Sequence, residues 1–367
     1  MTEDVMEFYK GKKVLITGHT GFKGSWMTAV LLLLGADAIG YALRPDEKPN
    51  LHELCGFDGK VTGYPGKLTN VYGDIRDLEL LRETFDKARP EIVIHMAAQP
   101  LVRRSYEDPV GTYSTNVMGT VNVLECCRTQ ESIKSVINVT TDKVYRNQER
   151  AEGYREDEEL CGYDPYSNSK SCSELVTDSY RNSFLRDKNI AVTTMRAGNV
   201  IGGGDFAKDR IIPDCVRAAM AGEDIIVRNP RSTRPYQHVL EPVICYLWTA
   251  ARQYTDPSIA GCYNVGPDDE DAVTTAQIAT KFCDLWNARS NSTTAWKDVS
   301  DGGPHEANYL KLDCTKIKEE LAWHPVWNID RAMSELVRWY KTYSEGGDHC
   351  EVMHDQIMTY IEESRKK

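Results

Sequence analysis

Apolar residues fall into short runs bounded by polar turns, and these runs alternate with longer stretches of helical spacing. Strands are predicted at Lys12–Thr17, Ala38–Leu43, Glu91–Met96, Ser135–Val139, Ala191–Arg196 and Gly261–Val265, and a further strand ends near Val71. Helices are predicted at Ser25–Leu34, Leu78–Lys87, Tyr113–Arg128, Asp214–Ala221, Thr274–Trp286, Thr315–Leu321 and Ile329–Tyr343, and another opens at Tyr166. Strands that alternate with helices are typical of a parallel sheet covered on both faces. The pattern predicts an α/β fold built on a doubly wound parallel sheet.

The alternation breaks after Asn199, where Gly202–Gly204 follow in succession. A chain of 367 residues is long for one hydrophobic core, which favours two domains. We expect a nucleotide-binding domain from residues 1–198 and about 238–265. The remaining segments, about 199–237 and 266–367, would form a smaller, mostly C-terminal α/β substrate domain.

Composition excludes several classes of function. Apolar residues make up 41% and charged residues 27%, as in soluble globular proteins, and the net charge of −11 argues against nucleic acid as a partner. The 11 cysteines contain no Cys-x-x-Cys spacing and the eight histidines no His-x-x-x-His pair, so we expect reduced thiols, a cytoplasmic location and no metal. The acidic N-terminus lacks a signal-peptide core, and the apolar run Ala29–Leu34 is too short to cross a membrane.

A glycine-rich turn joins the first strand to the first helix. Gly18, Gly21 and Gly24 form a Gly-x-x-Gly-x-x-Gly pattern, which differs from the Gly-x-Gly-x-x-Gly of many dinucleotide sites. Such a turn lets backbone approach a pyrophosphate that binds at the helix N-terminus. With the flanking strand and helix, the pattern favours a dinucleotide site of the Rossmann type over a plain turn. Lys23, inside the loop, could add charge to the phosphate site or be solvated.

The second predicted strand ends without the acidic residue that usually binds the ribose hydroxyls of NAD. Arg44 stands there instead. It could accept the 2′-phosphate of NADP, stack on adenine or lie free in solvent. The residues alone leave this choice open.

Three potential catalytic elements lie between residues 134 and 170. Thr141, Asp142 and Lys143 follow a strand, and Tyr166 and Lys170 lie one turn apart on a helix. An ammonium close to a phenol favours the phenolate, so we predict that Lys170 lowers the pKa of Tyr166. A phenol prepared in this way can remove a proton from a sugar hydroxyl. On spacing alone the pair could also be an ordinary surface pair, but the glycine turn favours catalysis.

Arg228, Arg231 and Arg234 lie within seven residues of one another. A run of arginines is often a solvated surface. Guanidinium groups also bind phosphate oxygens well, so the competing interpretation is a diphosphate clamp.

Taken together, these motifs resemble those of the extended short-chain dehydrogenase/reductase superfamily. The resemblance spans nearly the whole chain and rests on Thr17-Gly18-x-x-Gly21-x-x-Gly24, Gly73–Arg76, His95–Gln99, Thr115–Thr120, Thr140–Asp142, Tyr166-x-x-x-Lys170 and Arg196-x-x-Asn199. Within the superfamily the chain is most similar to the sugar-nucleotide 4,6-dehydratases, through Gly18–Trp26, Ala97–Tyr106 and Thr141–Tyr145. The resemblance implies that NAD is the cofactor and that the substrate is the nucleotide sugar CDP-glucose. It also implies a role in deoxysugar synthesis for surface polysaccharide.

The resemblance also implies roles for the catalytic elements. Tyr166 would remove the proton of the 4-hydroxyl, Thr141 would hydrogen-bond that hydroxyl, and Lys170 would hold the cofactor ribose. Asp142 would be the acid that helps the 6-hydroxyl leave. Relatives usually carry a glutamate where this chain has Lys143, so we hypothesise that Lys143 is the base at C5. An amine acts as a base only when neutral, and a carboxylic acid donates only when protonated, which a close ion pair would oppose.

Binding residues follow from the same resemblance. For the cofactor they are Gly18, His19, Gly21, Phe22, Lys23, Gly24, Arg44, Asp74, Ile75, Ala97, Ala98, Gln99, Asn116, Thr140, Tyr166 and Lys170. For the substrate they are Gln99, Arg104, Ser105, Asn199, Arg210, Arg234, His305 and Tyr309, with Arg234 the first choice for the diphosphate. Because the acid for the ribose is missing and His19 and Lys23 lie in the glycine turn, we predict a weaker affinity for NAD than in relatives.

Members of the family usually pair through two helices, so we expect a homodimer or homotetramer through Thr112–Arg128 and Tyr166–Arg186. Three other functions remain open. A sugar-nucleotide 4-epimerase would share the fold, Tyr166 and Lys170 but would not need Asp142 and Lys143 for elimination. A dehydratase could also act on a GDP-, dTDP- or UDP-hexose. A non-catalytic dinucleotide sensor would not need Tyr166 and Lys170.

Overall fold

The computed structural model describes residues 3–289, 293–299 and 309–366. Its strands are β1 (Lys13–Thr17), β2 (Asp37–Ala42), β3 (Lys67–Tyr72), β4 (Ile92–His95), β5 (Ser135–Val139), β6 (Ala191–Ala197), β7 (Val200–Ile201), β8 (Ile225–Val227), β9 (Thr233–Pro235), β10 (Gln237–His238), β11 (Cys262–Val265), β12 (Ala272–Thr274) and β13 (Trp296–Asp298). Its helices are α1 (Glu3–Phe8), α2 (Phe22–Leu33), α3 (Leu51–Leu54), α4 (Leu78–Ala88), α5 (Val102–Glu107), α6 (Pro109–Tyr113), α7 (Gly119–Thr129), α8 (Pro165–Tyr180), α9 (Ile211–Ala221), α10 (Leu240–Thr255), α11 (Thr275–Ala288), α12 (Thr315–Leu321), α13 (Ile329–Ser344) and α14 (His349–Ser364).

Seven parallel strands form the main sheet, in the order β3-β2-β1-β4-β5-β6-β11. The predicted doubly wound sheet is therefore confirmed. The order reverses between β1 and β4, where Thr17 pairs with His95. In such sheets ligands bind outside the carboxyl ends of the strands at this switch point.

Apolar side chains cover both faces of the sheet, as continuous buried strands require. One face packs under α2 and α10, with Trp26 fully buried. The opposite face packs under α4 and α7, with Phe85 and Cys127 fully buried. None of the helices in the described part of the chain is long and apolar enough to span a bilayer.

Most predicted helices lie within a few residues of the observed ones, and the differences have local causes. The helix predicted from Tyr113 begins at Pro109, where Asp108 caps it, and it runs through a π-helical turn at Ser114–Met118 into α7. The predicted cap Asp77 accepts a hydrogen bond from the backbone of Leu80 at the start of α4. α14 was not predicted, although Asp348 caps it and its apolar residues are buried at helical spacing.

The segments assigned to the second domain contain three two-stranded sheets. β7 pairs with β10, β8 with β13, and β9 with β12. These short sheets, with α9, α11 and α12, lie beyond β6 in the chain, and β11 returns to the main sheet as predicted. The exact division of the chain into two domains stays a prediction.

Candidate active site

The glycine turn after β1 leaves no room for side chains. Gly18 has φ +78°, and a Cβ there would lie 2.8 Å from the backbone of Ala97. A Cβ on Gly24 would lie 2.1 Å from the carbonyl oxygen of Gly18. α2 begins after Gly21 without a side-chain cap or an acidic residue in its first turn. Its first N–H groups are therefore available to an anion, and the turn fits the pyrophosphate of a dinucleotide.

His19 and Lys23, both inside this turn, point in different directions. His19 is fully buried behind the turn, with its ring over Gly40 and its Nε2 2.9 Å from the Asn70 side chain. The Lys23 ammonium donates to the Tyr246 hydroxyl at 3.3 Å, and burial together with Lys170 lowers its pKa to about 7. Lys23 therefore belongs to the interior of the site, whereas the His19 side chain supports the turn from below.

Side chains at the ends of β2 and β3 define the far end of the same groove. The Arg44 guanidinium stacks 3.8 Å from the ring centre of Tyr72. Asp74 binds Arg76 through two close contacts, and Ile75 is buried next to Gly119. Arg44 is thus exposed and stacks on an aromatic ring of the protein.

Asp142 lies buried just past the end of β5. Its Oδ1 accepts a hydrogen bond of 2.9 Å from the Thr141 hydroxyl, whereas its buried Oδ2 has no partner among the described residues. Burial raises the pKa of Asp142, and the charge of Lys143, the Thr141 hydrogen bond and Arg234 oppose the rise. A buried carboxyl group that favours its protonated form is suited to act as an acid.

Tyr166 and Lys170 lie on the first turns of α8, which Asp164 caps. Burial raises the pKa of Tyr166 to about 12, and a hydrogen bond from Thr141 and the charge of Arg210 oppose the rise. Lys170 donates to the carbonyl oxygen of Val139 at 3.0 Å, and burial lowers its pKa to about 8. The prediction that Lys170 lowers the pKa of Tyr166 is therefore wrong, because burial dominates and the ammonium turns to the end of β5.

A buried network behind these residues was not predicted. Glu174, one turn after Lys170, accepts hydrogen bonds from Thr140 and Thr194. It also forms a buried ion pair of 2.9 Å with Arg196. The network holds the strand end that carries Thr141 against α8. Its signal in the sequence was the spacing of four between Lys170 and Glu174, both on the helix face that carries Tyr166.

Two predicted substrate residues carry positive charge into the site. Arg210 forms an ion pair of 3.0 Å with Asp205, and its charge opposes the rise in the pKa of Tyr166. Arg234 is buried, and its charge opposes the rise in the pKa of Asp142. Arg228, by contrast, pairs with Asp209 at 2.8 Å, and Arg231 is exposed. The three arginines therefore differ: Arg228 and Arg231 are exposed, whereas Arg234 is buried and its charge opposes the rise in the pKa of Asp142.

Other predicted binding residues are engaged within the protein. The Gln99 amide bonds with Leu101 and Thr112, and Asn116 bonds with the Gln99 backbone and Ser169. The buried Ser105 hydroxyl donates to the carbonyl oxygen of Val102 at 2.6 Å, so a substrate contact would require it to turn.

The remaining predicted binding residues lie in the segments that follow β4 and β6 and in the C-terminal part of the chain. Arg104 is exposed. The backbone carbonyl oxygen of Asn199 accepts a hydrogen bond from the Gln237 backbone N–H, and Tyr309 forms an isolated β-bridge with Thr233. Ala97 and Ala98 lie in the loop after β4. His305 lies outside the described residues. No group of metal-ligating side chains is found in the part of the chain that the structure describes.

Comparison with known proteins gives one family. A family model described as GDP-mannose 4,6 dehydratase matches residues 15–336. A CDP-glucose 4,6-dehydratase of Salmonella typhimurium is 46% identical over 360 residues, covering 96% of this chain and 97% of the relative. A dTDP-glucose 4,6-dehydratase of Xanthomonas campestris is 26% identical over 346 residues, covering 89% of this chain and 93% of the relative.

Solved structures show the same fold at lower identity. The dTDP-glucose 4,6-dehydratase of Bacillus anthracis in complex with NAD superposes with a TM-score of 0.74 at 21% identity, over 92% of this chain and 99% of that one. The UDP-glucose 4-epimerase of Thermotoga maritima with UDP-glucose gives a TM-score of 0.74 at 20% identity, over 90% of this chain and 99% of that one. Dehydratases and epimerases therefore share this architecture.

Proposed function

The chain belongs to the GDP-mannose 4,6-dehydratase family, and we propose that it dehydrates CDP-D-glucose to CDP-4-keto-6-deoxy-D-glucose with NAD. The enzyme is a hydro-lyase that acts on a sugar nucleotide. The observation that carries the proposal is the 46% identity, over 96% of this chain, to a CDP-glucose 4,6-dehydratase. The buried carboxyl group of Asp142 beside Thr141 and Tyr166 supplies the chemical reason.

The residues at the switch point fit NAD. Gly18 and Gly24 let the turn close tightly where a Cβ would clash with backbone, and the uncapped N-terminus of α2 suits the pyrophosphate. In this proposal Arg44, Asp74 and Ile75 would hold the adenosine, and Lys170, which donates to the carbonyl oxygen of Val139, would also hold the nicotinamide ribose. The chemistry that NAD supplies when bound is hydride acceptance from C4, hydride return to C6, and a positive charge that favours a phenolate nearby.

Tyr166 is the base of the oxidation step in this proposal. Its phenolate takes the proton of the 4-hydroxyl and becomes the neutral phenol, and Thr141 hydrogen-bonds the same hydroxyl. The hydrogen bond from Thr141 and the charge of Arg210 already favour the phenolate, and both oppose the effect of burial. Removing this proton while hydride leaves C4 prevents positive charge from building up on the oxygen as the ketone forms.

Asp142 and Lys143 carry the elimination. The 4-keto group acidifies the C5 proton, which the Lys143 amine removes, while Asp142 gives its proton to the departing 6-hydroxyl. Burial raises the pKa of Asp142, which is the direction that an acid requires. Lys143 lies on the 3₁₀ turn Asp142–Val144, so both groups come from one short segment.

The nucleotide diphosphate lies against Arg234 and Arg210 in this proposal. The charge of Arg234 opposes the rise in the pKa of Asp142, and that of Arg210 opposes the rise in the pKa of Tyr166, so both guanidinium groups lie near the proposed acid and base. Arginine suits this task because its planar fork binds phosphate oxygens. An anionic substrate would thus be held next to the acid and the base.

A 4-epimerase is the competing function, since epimerases share the fold. The experiment that separates the candidates is turnover of CDP-, dTDP-, GDP- and UDP-hexoses side by side, with product identification. Dehydration of CDP-glucose above the others supports the proposal. Dehydration of a different nucleotide sugar would change the nucleobase assignment, and 4-epimerisation without loss of water would overturn the dehydratase.

We also propose a homodimer, and a cytoplasmic location remains a prediction. Large apolar side chains are exposed along the helices from Pro109 to Thr129 and from Pro165 to Leu185: Val110 is 79%, Leu175 57% and Phe184 44% exposed. Exposed apolar side chains on two adjacent helices suit a helical interface between copies. Light scattering that gives a monomer mass at micromolar concentration would contradict it.

A further inference from the structure

Two cysteines from opposite ends of the chain meet at the surface. Cys55 follows α3, and Cys350 lies in the first turn of α14. Their sulfur atoms are 3.3 Å apart although 295 residues separate them in sequence. Both are free thiols and both are partly exposed. A disulfide is about 2.05 Å long, so bonding requires the sulfurs to approach by only about 1 Å.

We propose that Cys55 and Cys350 form a redox-modification site that closes to a disulfide by exchange with a low-molecular-weight disulfide such as oxidised glutathione. The inference goes beyond the proposed function and does not depend on it. Among the described residues, this is the pair of cysteines whose sulfur atoms are in hydrogen-bonding contact. Cys161, which is also partly exposed, contacts the Arg146 guanidinium instead.

The exchange proceeds in two balanced steps. The Cys350 thiolate attacks one sulfur of the small disulfide, forms a mixed disulfide and releases one small thiolate. Cys55 then loses its proton to solvent and attacks the Cys350 sulfur, which releases the second small thiol. Two protein thiols are oxidised and one small disulfide is reduced to two thiols.

Cys350 is the better first nucleophile. The first turn of a 16-residue helix favours a thiolate, and the hydrogen-bonding contact with Cys55 lowers the pKa of Cys350. Burial and the Asp348 carboxylate oppose this effect. Tyr64 and His354, which bond to each other beside the pair, are the other titratable groups there.

The crosslink would fix the segment on which the glycine turn rests. Leu51 of α3 packs against Gly204, and the His52 ring lies edge-on to His19 at 5.2 Å. Fixing α3 to α14 therefore constrains the support of the turn and closes a loop of nearly 300 residues. Constraining so long a loop restricts the unfolded chain, so the oxidised protein should melt at a higher temperature.

The test is a peptide map of the full-length wild-type protein after incubation with oxidised glutathione and alkylation of the remaining thiols. We expect a peptide that joins Cys55 to Cys350, its loss after dithiothreitol, and a higher melting temperature for the oxidised form. C55S should lose the joined peptide and carry glutathione on Cys350, whereas C161S should behave as wild type. The proposal fails if wild type keeps both cysteines alkylated or carries a separate glutathione on each. The peptide map of the wild-type protein decides the proposal by itself, even if one of the variants does not fold.

Discussion

The Lys170 ammonium donates a hydrogen bond of 3.0 Å to the carbonyl oxygen of Val139, at the end of the strand that leads to Thr141. Lys170 therefore braces the catalytic strand end, and Tyr166 is left with a pKa raised to about 12 by burial. A phenol in that state is protonated at neutral pH. In the proposed mechanism a positive charge that enters the site lowers this pKa, so we predict that proton removal waits for the bound cofactor.

Replacing Tyr166 by phenylalanine removes the proposed base and leaves the packing of the ring. Turnover should fall by about 10²- to 10⁴-fold, the usual contribution of a positioned acid or base. The measurement is the steady-state rate with CDP-glucose. Tyr163→Phe is the matched control, because that tyrosine is 85% exposed just before α8 and should keep wild-type turnover. Equal rates in the two variants would remove Tyr166 from the mechanism.

Lys143→Met tests the base at C5 separately from the oxidation at C4. If Lys143 removes the C5 proton, the variant should still oxidise substrate but should lose exchange of the C5 hydrogen with solvent. Hydrogen exchange followed by NMR measures this directly. The surface substitution Lys87→Met, on the exposed side of α4, is the control. Exchange at the wild-type rate in Lys143→Met would assign the role to another group.

Much of the fold was predictable because its signals are local. Six of the seven sheet strands were predicted within two residues of their observed bounds, and the cap at Asp77 was found from residue type alone. α14 was missed, although Val352, Met353 and Ile357 carry a helical pattern. The third strand was recognised only at its end, because Lys67, Thr69 and Asn70 interrupt its apolar run.

The candidate site was predicted less completely, because spacing gives the face of a helix but not where a long side chain ends. Tyr166 and Lys170 do share α8, yet Lys170 bonds to β5. The pKa of Tyr166 depends on burial by distant segments, which one helix cannot reveal. Glu174 and Arg196 meet only after β6 lies beside β5.

The buried histidines predict loss of stability in acid. Burial lowers the pKa of both His19 and His52 to about 4, whereas an unfolded histidine has a pKa of about 6.5. Between those values the unfolded chain binds more protons, so stability is present above pH ~6.5 and is lost as the pH falls towards ~4. Each histidine accounts for up to about 3 kcal/mol of this loss.

Urea unfolding at about pH 7 and pH 5 measures this loss, since the two values bracket most of the titration. His52→Phe should lose less stability between the two pH values than wild type. His324→Phe, at an exposed position, should keep the wild-type difference. Equal pH dependence in all three proteins would contradict the assignment.

The buried pair of Glu174 and Arg196 should be costly to break. Arg196→Met leaves the Glu174 carboxylate buried without its cation and should lower the free energy of unfolding by about 3–5 kcal/mol. Replacing Glu174 by leucine as well should restore part of the loss. The exposed pair Lys87–Glu83 is the control, and breaking it should cost less than about 1 kcal/mol. A loss below that limit in Arg196→Met would mean that the pair does not hold the site.

The most direct test of the dehydratase is turnover of CDP-D-glucose with NAD in deuterium oxide, with the product analysed by NMR and mass spectrometry. The account predicts a 4-keto-6-deoxy product that has lost one water and carries one solvent deuterium at C5, where the proton was removed. A CDP-hexose inverted at C4, with no loss of water and no deuterium at C5, would contradict the account and identify an epimerase.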